Sequence, residues 1–300
     1  MIIQTLASTP EPPQPVRFSY SHPDQPAFRR HLIRAVERVS GQPRLQSLYD
    51  GWAAGGKRPG ESVFDAALRL LHLHPRIEGA EAMHRLPQQG GLLIVANHPF
   101  GIVDGLTVGQ LAMRLRGNGR IMTNSLLCRV PEIDPHLLPV DFSGTAEARR
   151  LTARTRQTAA DLLQDGKVVA VFPAGGVATA NRPLRGRAVD APWHPFVGRL
   201  ATLPGVTTLP VHVRGQNSRL FQIASHLSYP LRIALIFHET RRRMGRMVDL
   251  RLAPPIASAD LQSLDRSAVA AELRRRTMAL ARPELDDPDE VFTWPRHIRW

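Results

Sequence analysis

Cysteine is almost missing from this 300-residue chain: Cys128 stands alone, so no disulfide can form within it. No cysteine–histidine cluster has zinc spacing either. His72-Leu73-His74 comes nearest to a metal pair, but no third ligand lies close to it, and no metal is expected. Long apolar runs are also lacking. The longest, residues 92–96, 168–172 and 233–237, have the length of strands, far below the roughly 18 residues that span a bilayer. Residues 1–14 carry no basic flank before their short apolar start and soon turn proline-rich, a poor secretory signal. These absences point to the cytosol or the cytosolic face of a membrane, with no transmembrane helix. Lysine is scarce as well. All but Lys57 and Lys167 of the 39 basic residues are arginine, and with 26 acidic residues the net charge is +13. Such a charge suits a polyanionic partner, nucleic acid or an anionic leaflet, whereas the arginine preference itself fits nucleotide composition. Near an anionic bilayer each basic side chain contributes about 1 kcal/mol, so a modest patch is enough for peripheral docking.

What is present reads as an α/β protein. An apolar fraction of 43% provides an ample core. Residues 1–25 hold prolines at 10, 12, 13, 15 and 23 and form a tail. Residues 26–84 make an N-terminal helical segment. Phe28, Leu32, Ile33, Ala35, Val36 and Val39 recur at helical spacing before Gly41, and a second helix is expected over residues 62–73. A lid, a membrane-facing pair and plain packing elements are all open readings of these helices. Residues 85–285 alternate strand and helix. Strands are expected at 92–96, 168–172, 207–213, 231–237 and 247–253, and helices at 105–116, 145–164 and 267–281. That alternation predicts a mainly parallel sheet flanked by helices. Residues 286–300 form a C-terminal tail, where Trp294, Trp300, Arg296 and Arg299 suit either a frayed end or a membrane interface.

The chemistry concentrates where the strand at 92–96 stops. Asn97-His98-Pro99-Phe100-Gly101-Ile102-Val103-Asp104-Gly105 follows at once. An imidazole accepts protons near neutral pH, but only when one tautomer is held and the ring is aimed, which a carboxylate on the other ring nitrogen achieves. The competing reading makes His98 a solvated turn residue and Asp104 a helix cap. This block resembles the His/Asp signature of the glycerophospholipid and lysophospholipid acyltransferase superfamily, nearest to its hemolysin-type and ornithine-lipid-type branch. The likeness continues in order. Residues 124–132 and Leu138-Pro139-Val140-Asp141 stand where the second block is expected, Phe172-Pro173-Ala174-Gly175-Gly176 at the third, and Leu209-Pro210-Val211 at a late strand. Two departures stand out. Five residues lie between His98 and Asp104 where most of the superfamily has four, and Gly101 supplies the freedom to absorb the extra one. Ala174 replaces the family's glutamate, which puts a glycerol-phosphate acceptor in question.

The resemblance implies an O-acyltransferase with His98 as general base and Asp104 as its orienting acid. Asn97, Phe100, Gly101, Arg129, Phe172, Pro173, Gly175, Gly176 and Arg214 are the expected substrate-binding residues. Amides near Gly101 or Gly175 are the expected donors to the tetrahedral oxyanion. No bound cofactor is implied. The acyl thioester, on acyl carrier protein or coenzyme A, is a co-substrate, and the acceptor is a lyso-lipid, either lyso-ornithine lipid or lysophosphatidate. The expected location is cytoplasmic, peripheral on the anionic inner face of the membrane. Other basic groups are less defined. Arg182, Arg185 and Arg187 form a basic loop before Trp193, and Asn217 follows Arg214 after the late strand. Arg241-Arg242-Arg243 with Arg246 reads as a hairpin turn or an anionic-lipid contact. Two other classes compete. A His–Asp pair can also activate water in a lipid or thioester hydrolase, although no Gly-x-Ser-x-Gly elbow occurs. A nucleic-acid-binding module rests on charge alone. It lacks a P-loop, zinc finger or RNA-recognition signature, so no nucleic acid partner is expected.

Overall fold

The computed structural model describes residues 16–21, 25–124, 130–141, 145–281, 283 and 287–295. Its N-terminal part holds α1 (Ala27–Ser40), α2 (Gln42–Gly51), which runs on as a short π-helical turn, and α3 (Val63–Leu70). Next come β1 (His74–Glu78), α4 (Glu81–His84), β2 (Leu92–Ala96), α5 (Ile102–Arg116), β3 (Arg120–Asn124) and β4 (Leu137–Val140). The chain then forms α6 (Ala146–Gln164), β5 (Val168–Val171), β6 (Thr179–Ala180), β7 (Ala188–Val189) and α7 (Phe196–Ala201). It closes with β8 (Thr207–Val213), α8 (Arg219–Leu227), α9 (Tyr229–Ala234), α10 (Ile236–Arg243), β9 (Met247–Leu252), β10 (Ile256–Ala257) and α11 (Arg266–Ala279).

The main sheet runs in the order β1-β9-β8-β2-β5-β3-β4, with β10 paired to β8. Its pairs are parallel except β8 with β9 and with β10. The α/β architecture with a mainly parallel sheet and an N-terminal helical segment is thus the one expected. β2 and β5 are buried throughout, as apolar strands covered on both faces should be. Side chains alternate across the strand. Leu92, Ile94 and Ala96 join a core with Phe64, Leu106, Leu111 and Phe237, while Leu93 and Val95 pack with Ala159, Leu163, Val197 and Leu273. Leu45, Phe64 and Leu68 of the N-terminal helices share the first of these cores.

Two expectations fail. Residues 231–237 are not a strand: they lie in α9 and α10. Pro230 opens α9 after Ser228, and the apolar stretch around the buried Arg232 reflects a helix pair wedged into the core, where periodicity cannot separate helix from strand. Nor do Arg241, Arg242 and Arg243 form a hairpin tip. They occupy the last turn of α10, where cations complement the exposed carbonyls of a helix end.

Candidate active site

Three parallel neighbours end on one edge of the sheet: β2 leads into Asn97 and His98, β5 into the 172–176 turn, and β8 into Arg214. That edge is where open α/β sheets gather reactive groups on rigid supports. His98 is held from both sides by its backbone. Its carbonyl accepts from Ala178 N–H at 2.7 Å, and its own N–H donates to Asp190 Oδ1 at 3.2 Å. Asn97 grips Val213 twice: Nδ2 donates to the carbonyl at 3.0 Å and Oδ1 accepts from the N–H at 2.6 Å. With both polar ends engaged and the residue buried, Asn97 clamps β2 to β8 instead of facing a ligand.

The turn after His98 brings Asp104 back beneath it. Gly101 sits at φ +90° and ψ −111°, a conformation that L side chains rarely adopt, and a Cβ there would meet Ile236 at 3.3 Å. Asp104, in the first turn of α5, is fully buried. Its Oδ2 accepts from the N–H groups of Phe100 at 2.7 Å and Gly101 at 2.9 Å. Nδ1 of His98 lies 3.0 Å from the same oxygen. Helix cap and histidine partner, read from the sequence as rivals, are therefore roles of one carboxylate. The ring N–H does not align on Oδ2 as a hydrogen bond, while Oδ1 of Asp104 is buried without a partner. The helix N-terminus favours the carboxylate's charge. Phe172 stacks on the imidazole with centroids 4.3 Å apart, and the His98 side chain keeps 19% exposure, which leaves it reachable.

Behind His98 is a group that the motif reading did not find. Asp190 is completely buried, and its Oδ2 accepts from Trp193 Nε1 at 2.9 Å. Arg274 donates to the Asp190 backbone carbonyl at 3.1 Å. Burial pushes the Asp190 carboxyl above the usual range, against the pull of Trp193, the His98 N–H and Arg274. The two halves of this contact are 92 residues apart, and no local spacing announces it.

The other expected residues divide. Phe100 is 1% exposed, packed beneath the Arg243 guanidinium at 4.1 Å. Gly215 lies so close to the ring that a Cβ would come within 2.5 Å of it. Phe100 thus supports the turn. Pro173 is buried and accepts His194 N–H at 3.0 Å through its carbonyl. The N–H of Gly101 is bound to Asp104, and that of Gly175 donates to the Phe172 carbonyl at 3.1 Å. Neither of these two N–H groups is itself unclaimed. Gly176, next in the turn, donates its N–H to no group among the described residues. Arg214 is 40% exposed on the rim, with Nη1 3.7 Å from Asp249 Oδ2. Arg129 lies outside the described residues. Among the described residues no group of three or more His, Cys, Asp or Glu is placed to hold a metal.

Along α5, next to the turn that carries Asp104 but lined by neither member of the pair, lies an apolar cavity of about 190 Å³, far above the roughly 10–15 Å³ that one water needs. Ile102, Gly105 and Leu106, which flank Asp104 on α5, form one wall. Phe18, Tyr49 and Trp52 from the N-terminal segment, with Phe64 and Leu71, close it.

A family described as Acyltransferase matches residues 59–287. The chain belongs to this acyltransferase family. The match takes in the whole sheet and the His98–Asp104 turn, whereas α1 and α2 lie before it. The acyltransferase is also similar to a lyso-glycine lipid O-acyltransferase of Phocaeicola vulgatus, 25% identical over 220 residues that cover 71% of this chain and 74% of the relative. A protein of the same description from Bacteroides thetaiotaomicron is 24% identical over 183 residues, covering 59% of this chain and 63% of that relative.

Proposed function

We propose that this acyltransferase moves a fatty acyl group from a thioester, on acyl carrier protein or coenzyme A, to the hydroxyl of a lyso-lipid at the membrane surface. The observation that carries this reading is the His98–Asp104 pair, 3.0 Å apart at the end of β2, with an apolar cavity lined in part by Ile102, Gly105 and Leu106 of the helix that carries Asp104. His98 removes the proton of the acceptor hydroxyl as its oxygen attacks the thioester carbonyl. Asp104 holds the ring and stabilises the imidazolium. The tetrahedral oxyanion takes donors from the 172–176 turn, Gly176 first, and collapse expels the thiolate, which receives the proton from His98. The cavity holds an acyl chain out of water, at about 0.8 kcal/mol for each buried methylene. For the acceptor headgroup, two lines favour an amino-acid-linked lyso-lipid over a glycerol phosphate. Ala174 stands where the phosphate-type pattern has glutamate, and the relatives are named for lyso-glycine lipid.

The test incubates purified protein with labelled acyl carrier protein or acyl-coenzyme A and a panel of lyso-lipids, then resolves the products. An esterified lyso-aminolipid is expected. Free fatty acid without any new ester would replace the reading with a hydrolase.

A further inference from the structure

The second half of the site's rim is a layer of helices with an unusual outer surface. α1 packs on α9 and α9 on α8, and α8 touches the hairpin strand β6. Inward, this layer is anchored by Phe221, Ala224, Leu235 and Ile236. They pack with Val36 and reach Ile102 and Val177 beside the catalytic turn. The β6–β7 hairpin itself grips His98 through the Ala178 amide and Asp190. Outward, the layer carries five of the seven large apolar side chains exposed among the described residues: Phe28, Val39, Leu184, Leu220 and Leu227, with Phe28 at 81%. Between them stand Arg34 and Arg38 on α1, Arg182, Arg185 and Arg187 on the hairpin loop, and Arg219 on α8, all exposed. Acid is scarce on it: the exposed Glu290 meets its edge, accepting from Asn181 Nδ2 at 3.1 Å. Residues 25–40, 181–189 and 215–238 contain one acidic residue, Glu37, which is buried and binds Ser19 and the Tyr20 N–H. The far side of the sheet differs: on α6, α7 and α11 exposed arginines alternate with Glu147, Asp161 and Glu272, and Leu264, just before α11, is the exposed large apolar side chain next to them.

We infer that the α1–α9–α8 layer and the β6–β7 hairpin loop form the docking face for an anionic bilayer. Aliphatic and aromatic side chains interleaved with six exposed arginines, against the single exposed Glu290 at the hairpin's edge, match an interface of acyl chains under negative headgroups. This face adjoins the catalytic turn, so a docked enzyme meets a lyso-lipid without lifting it through water. The inference rests on the lipid-acyltransferase reading only for that last consequence, and its test is separable.

The full chain is sedimented with phosphatidylcholine vesicles and with vesicles containing phosphatidylglycerol. Binding is expected only to the second and falls with salt. Replacing Arg182, Arg185 and Arg187 together with serine lowers partitioning on the order of a hundredfold. A Phe28→Ser/Leu184→Ser/Leu227→Ser variant loses binding even at low salt. Both keep turnover on detergent-dispersed lyso-lipid, because none of these side chains belongs to the site. Serine at Arg150, Arg154 and Arg199, on the far side, should matter little. Equal loss from that control, or unchanged binding of the hairpin variant, overturns the inference. So does a hairpin variant that binds vesicles normally but shows a raised KM for acyl carrier protein, since the face then serves an acidic protein. Vesicle binding as described with no acylation of any lyso-lipid would sink the proposed function and leave the docking face standing.

Discussion

Asp104 caps α5, and in the proposed mechanism it also steadies the His98 imidazolium; single substitutions separate the two roles. Asparagine retains an oxygen that can accept from the Phe100 and Gly101 amides, so Asp104→Asn should leave thermal stability nearly unchanged. It removes the charge that steadies the imidazolium, and turnover should fall by about 10²- to 10⁴-fold. Asp104→Ala loses the cap too, at about 1 kcal/mol or more of stability, read by urea denaturation. Asp190 makes a pH prediction. Burial raises its carboxyl from the ordinary value of 3.8, so as pH rises the unfolded chain releases this proton first. Between the ordinary and the raised value the folded state binds more protons. Stability therefore declines with rising pH through that window. Asp190→Asn should flatten that decline in denaturation series run from pH 3 upward, where about one proton's worth of slope disappears. His98 and Asp104 were legible because a turn sets their spacing. The grips of Asn97 on Val213 and of Asp190 on His98 were not, since each joins residues far apart in sequence.

Among the elements, β2 and β5 revealed themselves as uninterrupted aliphatic runs, and β8 and β9, with polar residues among their apolar ones, also fall where the sequence put strands. β1, β3 and β4 did not, because His74, Pro75, Arg76, Arg120 and Pro139 break the apolar pattern in short strands whose pairing comes from neighbours. The two-residue strands β6 and β7 carry no periodicity at all, yet their hairpin holds His98. The misread run at 231–237 shows the converse, a helix pair buried enough to look like a core strand. The cavity belongs to this scale, being a space between helices that no motif marks. Ala67 of α3 lines it beside Phe64 and Leu71. Ala67→Trp should fill part of that space and shorten the preferred acyl chain by several carbons, while activity with short-chain thioesters stays within a few-fold. A chain-length series of acyl donors reads this directly, and an unshifted preference would remove the cavity from the account.

At the level of the molecule, a parallel sheet brings the ends of three neighbouring strands to one edge, and helices from the N-terminal segment and from residues 219–243 wall that edge. No helix among the described residues is long and apolar enough to cross a membrane. The His98–Asp104 pair lies on that edge, with the apolar cavity along α5 and the arginine-rich helical layer packed against Ile102 and Val177. In the proposed mechanism His98 takes the acceptor's proton during acyl transfer. The most direct measurement is single-turnover acyl transfer to a lyso-lipid by wild type and His98→Ala, with melting temperature recorded for both. A loss of about 10²- to 10⁴-fold in the transfer rate at unchanged melting temperature is the predicted result. Transfer within a few-fold of wild type by a folded His98→Ala protein would contradict it.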